Sequence, residues 1–406
     1  MPKVNPEILQ WARKTACLSL EDAAAKLGID AAGGVPGPER LAGLEAGERE
    51  PSRPLLVKMA KNYRRPLLTF YLPARPRTGE RGQDFRTLPP EHSKRDDALV
   101  DALIRDVRAR QGMVRALLEA EDEATPLPFV GSMSMRDSVE AVLASMVATL
   151  ELNLTQFRHG IVSDRRAKKG FAYLRERAGQ AGIFVLLIGN LGSHHSNLDV
   201  EMFRGFALSD PVAPFIVIND QDADTAWSFT LLHELAHIWL GQTGISGANA
   251  ASDIEQFCND IAGHFLLPAR EIAGGERLRN APFEVLVTRI NDIAAARQVS
   301  CSMVAHKLYR QGFIGRDIWS QLSGLFRQHW INNRRAGRNQ DQDGKGPNYY
   351  VVCRYRVGAR LIGLTQRMLA DGSLAPSQAA KILGVKSSNV FALIAENGSR
   401  PPSRAA

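Results

Sequence analysis

Two histidines four residues apart, with a glutamate directly after the first, constrain this chain more than any other stretch: His233–Glu234–Leu235–Ala236–His237. On an α-helix, residues four apart share a face, so both imidazoles can reach one ion only if the segment is helical. The flanks ask for that helix, because SFTLL (228–232) is continuous and mostly apolar and nothing breaks the run until Gly241. Glu234 is turned by about 100° from His233, which puts it beside the ion, where a carboxylate can accept a proton from water. The plainer alternative is a pair of histidines packed against a core.

A catalytic zinc takes three protein ligands and keeps one position open. The extended pattern with a glycine and a third histidine fails, since Leu240 and Thr243 stand at those places. The next expected helix, from about Ser252 to Leu267, offers Glu255, with Asn259 one turn later on the same face. His264 lies nine positions beyond Glu255, about 180° around the helix, and Asp253 and Asp260 are also off that face. Glu255 is therefore the expected third ligand; its plain role is a solvated glutamate favoured by the dipole of a helix start. Zinc is the expected ion, and manganese or iron also suits two imidazoles and one carboxylate.

The 406 residues allow two to four domains, and 44% hydrophobic content supports a buried core. A net charge of +8 permits nucleic-acid contact without requiring it. Cys17, Cys258, Cys301 and Cys353 form no C-x-x-C pair, which argues against a cysteine zinc site or a disulfide scaffold and fits a reducing compartment. The opening residues lack a signal-peptide layout, and the apolar run Ile183–Ile188 is too short to span a bilayer. A cytoplasmic protein with no membrane contact is expected.

The overall expectation is an α+β chain. Residues 1–78 read as short helices with Gly/Pro punctuation, and 79–158 as a helical linker region. Residues 159–272 carry the strand-like IFVLLIG, MFRGFALSD and PFIVIND and the two helices of the metal constellation, a small mixed sheet with helices packed on it. A helical extension (273–335) and a C-terminal domain (345–400) follow. Within these, 332–345 reads as a polar loop and Val351–Tyr355 as a strand.

Taken together, RGFALSD, PFIVIND, SFTLLHELAHIWLG and EQFCNDIAGHFLLP resemble the ImmA/IrrE family of metallo-endopeptidases over roughly residues 160–270. Members show a strand ending in Asn, an FTL-x-HELxH helix, and a Glu-x-x-Ala-Asn helix whose glutamate completes the metal site. Phe229, Thr230 and Leu231 match the first helix; Glu255, Asn259 and Leu266–Leu267–Pro268 match the second, with Cys258 in place of Ala and Ile261 in place of Phe. The resemblance implies a zincin-like domain, Glu234 as catalytic base, and cleavage of a partner protein, commonly a DNA-binding repressor or antitoxin, with consequences for transcription or a stress response.

Residues 1–78 resemble the XRE helix-turn-helix domains often fused to such peptidases, through LSLEDAAAKLG and RLAGLEAGEREPSRPLLVKMAKNY. That implies DNA contact. The loop DAAGGVPG is longer than the family's tight turn, and Glu39, Glu45 and Glu48 accompany Arg40 in the presumed recognition helix, so protein contact is the rival role. LAPSQAAKILGVKSSNVFALI has a second helix-turn-helix rhythm, preceded by Arg354, Arg356, Arg360 and Arg367; it serves as a packing unit or as a reader of bases. Arg334, Arg335 and Arg338 read as solvated loop charge, and His194–His195 as an exposed loop or as substrate contacts. Two other functional classes fit the same segments: a regulator whose peptidase-like domain senses metal or ligand without turnover, and an antitoxin-like scaffold binding DNA and a partner.

Overall fold

The computed structural model describes residues 3–76, 83–84, 94–159, 169–192, 196–246, 253–272, 278–340 and 348–395. The chain divides into two units, Met1–Arg81 with Pro89–Asp106, and Gly82–Leu88 with Val107–Ala406.

In the first unit, polar caps and glycines cut the chain into short helices. α1 (Pro6–Thr15) starts at Asn5, whose side chain accepts from the Glu7 amide; α2 (Leu20–Leu27) starts at Ser19 and stops at Gly28, in the left-handed region at φ 67°. α3 (Gly37–Glu45) and α4 (Arg53–Tyr63) follow, then a 3₁₀ turn over Leu67–Tyr71. Their apolar faces meet in a core that includes Ile8, Leu27, Leu41, Met59 and Phe70. Inside it, Arg13 donates from Nε and Nη2 to the two Glu45 oxygens at 2.7 and 2.9 Å, and from Nη1 to the Leu18 carbonyl at 2.8 Å.

The second unit is built around a sheet. β1 (Gln83–Asp84) comes first, and α5 (Lys94–Ala120) contains the division between the units. α6 (Val139–Thr149), α7 (Leu154–His159) and α8 (Lys169–Gln180) lead to β2 (Phe184–Leu187), β3 (Gly205–Leu208) and β4 (Phe215–Ile218). α9 (Asp224–Trp239), β5 (Gly244–Ser246) and α10 (Asp253–Leu266) complete the site-bearing part. The sheet order is β1-β5-β3-β4-β2, with β3 antiparallel to both neighbours and the β1–β5 and β2–β4 pairs parallel. Every residue of β2, β3 and β4 is buried, as expected of strands covered on both faces. One face meets α9, since Ile216, Ile218, Leu231, Leu235 and Ile238 share one core. On the other, the Arg360 guanidinium lies over the Phe184 ring, and at the end of β3 Gln111 of α5 donates to the Leu208 and Ala213 carbonyls.

Beyond a 3₁₀ turn at Ala269–Glu271, the described residues form helices: α11 (Phe283–Arg297), α12 (Cys301–Arg310), α13 (Arg316–Gln340), α14 (Tyr349–Val357), α15 (Ala359–Ala370), α16 (Pro376–Leu383) and α17 (Val390–Ile394). The α+β expectation therefore holds, with helical regions at both ends. Two local expectations fail. Residues 332–340 are helical and continue α13, in place of the expected loop. Val351–Tyr355 lies inside α14, in place of the expected strand; the Asn348 side chain caps that helix and Arg175 donates to the Tyr355 and Arg356 carbonyls at its end. A short β-branched run is ambiguous by pattern, and here capping and packing decide it. Among the described residues, no helix is long and apolar enough to cross a membrane.

Candidate metal centre

α9 is apolar on nearly all sides and buried, as a helix enclosed by neighbours must be. Its carboxyl end is pinned by Gly131 and Met133 amides donating to the Ile238 and Trp239 carbonyls, and Trp239 donates to Ser145 Oγ and stacks on Phe129. Gly241 follows in the left-handed region at φ 65°, where a β-carbon would come within 3.0 Å of the Gly131 α-carbon. At the amino end, buried Asn219 closes β4: its amide nitrogen donates to the Leu198 and Phe203 carbonyls, and its oxygen accepts from the Gln221 amide. One asparagine thus ties the turn before β3 to the connection that launches α9.

Against this apolar background, His233, Glu234 and His237 are buried polar residues on α9, and Glu255 is buried on α10. His237 Nε2 lies 3.1 Å from His233 Nε2 and 3.1 Å from Glu255 Oε1, and His233 Nε2 lies 3.3 Å from Glu255 Oε2. Ligand atoms around a tetrahedral ion with bonds of about 2.0–2.1 Å stand about 3.3 Å apart. These separations suit a shared divalent ion, and the three residues form a metal-capable group among the described residues. Asn259 Oδ1 accepts from His233 Nδ1 at 3.0 Å, which orients the ring and turns Nε2 toward the other donors.

Protons compete with a metal for the same donor atoms. Burial pushes the Glu255 carboxyl up, but hydrogen bonds from His233 and His237 and their charges outweigh it and hold it down to about 2. Burial also opposes a charge on His233, yet the Glu255 hydrogen bond and the Glu234 and Glu255 charges raise its pKa. For His237 burial wins and the pKa falls, keeping the ring in the neutral form that can ligate a metal. Neighbouring Cys258 is buried, and its thiol is pushed well up by burial first and then by Glu255 and Glu234, so it stays protonated.

The other sequence candidates fall elsewhere. His264 faces Lys307, Asp260, Glu140 and Arg310, and Asp260 pairs with Arg310 at 3.7 Å. Thr243 accepts from the Ser209 amide. His194 and His195 lie outside the described residues, as do the side chains of Arg334, Arg335 and Arg338. The C-terminal arginines are spent within the chain: Arg354 on the Leu393 and Ala395 carbonyls, Arg356 on Asp220, Arg360 on Phe184 and Arg367 on Glu123. One residue at the site escaped sequence reading, Gly205, where a β-carbon would meet Glu234; a lone glycine opening an apolar strand was its only signal.

Comparison with known proteins matches residues 191–309 to the IrrE N-terminal-like domain of the Peptidase_M78 family. That segment, under a third of the chain, contains β3, β4, α9, β5 and α10 and all three metal-capable residues. No curated protein and no solved structure gives a significant match. The chain thus carries an IrrE-like M78 metallopeptidase domain with a buried His-His-Glu group.

Proposed function

We propose that this protein is a zinc-dependent endopeptidase that cleaves a DNA-binding repressor or antitoxin. The observation that carries the reading is the convergence of His233 Nε2, His237 Nε2 and Glu255 within 3.1–3.3 Å of one another, beside a buried carboxylate on the same helix. A divalent ion held by those three residues supplies Lewis acidity, lowering the pKa of water toward about 7 and polarising a scissile carbonyl. The donor set of two imidazoles and one carboxylate suits zinc.

Glu234 is the residue we assign as general base. It accepts a proton from the attacking water and delivers it to the leaving amine, a shuttle that needs a carboxylate next to the ligands but outside their set. Asn259 positions the His233 ring through Nδ1. A sensor without turnover has no use for the carboxylate of Glu234 at this place, which favours an enzyme over that rival.

A subordinate reading concerns residues 1–78. The pairing of α2 and α3 supports a helix-turn-helix role in contacting DNA, while two features favour protein contact instead. The connection between those helices runs from Gly28 to Pro36, longer than the usual three or four residues, and Arg40 turns back to donate to the Asp30 carbonyl at 2.6 Å. We assign this unit to recognition of the protein substrate. A mobility shift on operator DNA that survives chelation would reverse that assignment.

The test of the main reading is direct. The zinc-loaded protein is incubated with candidate repressors, with and without a chelator, and the products are resolved on a gel. Discrete fragments that vanish with the chelator are expected; fragments that persist undiminished when zinc is absent would refute a metallopeptidase.

A further inference from the structure

We propose that Gly205 is a positioning residue for Glu234: by carrying no side chain, it leaves the space that the Glu234 carboxylate occupies. The inference rests on the reading of Glu234 as the base.

Gly205 opens β3, paired with Ile218 of β4 on one side and Ser246 of β5 on the other. A β-carbon built there would stand 2.7 Å from Glu234 Oε1, 2.7 Å from Thr230 Cγ2 and 3.1 Å from Glu234 Cγ. Carbon contacts are comfortable at about 3.5–4.0 Å, so no side chain fits without displacing something. Backbone conformation is not the reason for the glycine, because its φ lies outside the left-handed region. Glycine weakens a strand, and its presence inside one often marks a close approach by another group. Here the approaching group is the carboxylate.

The two neighbours would yield differently. Thr230 is β-branched and its hydroxyl donates to the Ala226 carbonyl at 3.2 Å, which holds its methyl in place. The Glu234 carboxylate is the far end of a flexible chain, so a methyl at position 205 moves it first. Glu234 is fully buried and has no solvent to swing into, so the displacement takes it off its place beside the ligands. None of the three nearest atoms belongs to His233, His237 or Glu255. A side chain at 205 therefore disturbs the base and spares the metal.

The test is a thermal double-mutant cycle on the full chain loaded with zinc, together with zinc titration. Gly205→Ala should bind zinc as tightly as the wild type and melt at a lower temperature. Adding Glu234→Asp, which withdraws the carboxylate by one methylene, should recover at least half of the lost melting temperature. Adding Thr230→Ser should recover less. The proposal is overturned if Thr230→Ser recovers as much as Glu234→Asp or more, if Gly205→Ala melts like the wild type, or if it loses zinc. Should Gly205→Ala be too unstable to purify, the two double variants are compared directly, with the same ranking expected. The chelator-sensitive cleavage described above fails or succeeds independently of this cycle, so the two results separate the peptidase reading from the role of Gly205.

Discussion

In the N-terminal unit, buried Glu45 receives two guanidinium nitrogens from Arg13 at 2.7 and 2.9 Å; in the second unit, buried Glu255 meets two imidazole nitrogens at 3.1 and 3.3 Å. The first pair is complete, because the chain supplies both charges and Arg13 spends a further N–H on the Leu18 carbonyl. In the second cluster, Glu255 and the two imidazoles set one another's ionisation, Glu234 adds its charge at His233, and three ligand atoms converge. Two carboxylates and two imidazoles in a buried space call for a cation from outside. A structural ion pair closes on itself. A metal site is left open to a fourth party.

Four expected outcomes break or sharpen that contrast. The largest is loss of the metal: His237→Ala should abolish stoichiometric zinc in elemental analysis and all chelator-sensitive cleavage, while the N-terminal unit melts unchanged. Next, Glu234→Gln should retain zinc and lose about 10²–10⁴-fold in turnover; turnover equal to the wild type would remove Glu234 from the chemistry. Third, Arg13→Ala leaves Glu45 as an unpaired buried charge and should cost about 3–5 kcal/mol in denaturant unfolding. The paired change Arg13→Met with Glu45→Leu should cost far less, and neither should alter zinc content. If both cost the same, the self-contained pair is not what the geometry indicates. The smallest effect is expected at Asn259→Ala, which frees the His233 ring and should weaken zinc binding by about 10–100-fold in a competitive titration.

The helices that carry the site are legible in the sequence because their signals are local. His233 and His237 share a face through the helical repeat alone. The apolar runs of β2, β3 and β4 announce strands for the same reason. The error at 351–355 lies where a β-branched run competes with contacts made far along the chain, such as those of Arg175 at the end of α14. The C-terminal arginines look like a basic patch in one dimension, yet each is consumed by a partner that sequence distance hides: Asp220 for Arg356 and Glu123 for Arg367.

By itself, the sequence determined the donor types, their spacing on one helix and the carboxylate beside them, because an α-helix converts residue number into direction. Only the tertiary structure decided that Glu255 meets both imidazoles, that Asn259 fixes one ring, and that Gly205 makes room for Glu234. Those relations depend on how α9 packs against α10 and β3, and side-chain approach between separate elements follows from packing that no local periodicity encodes.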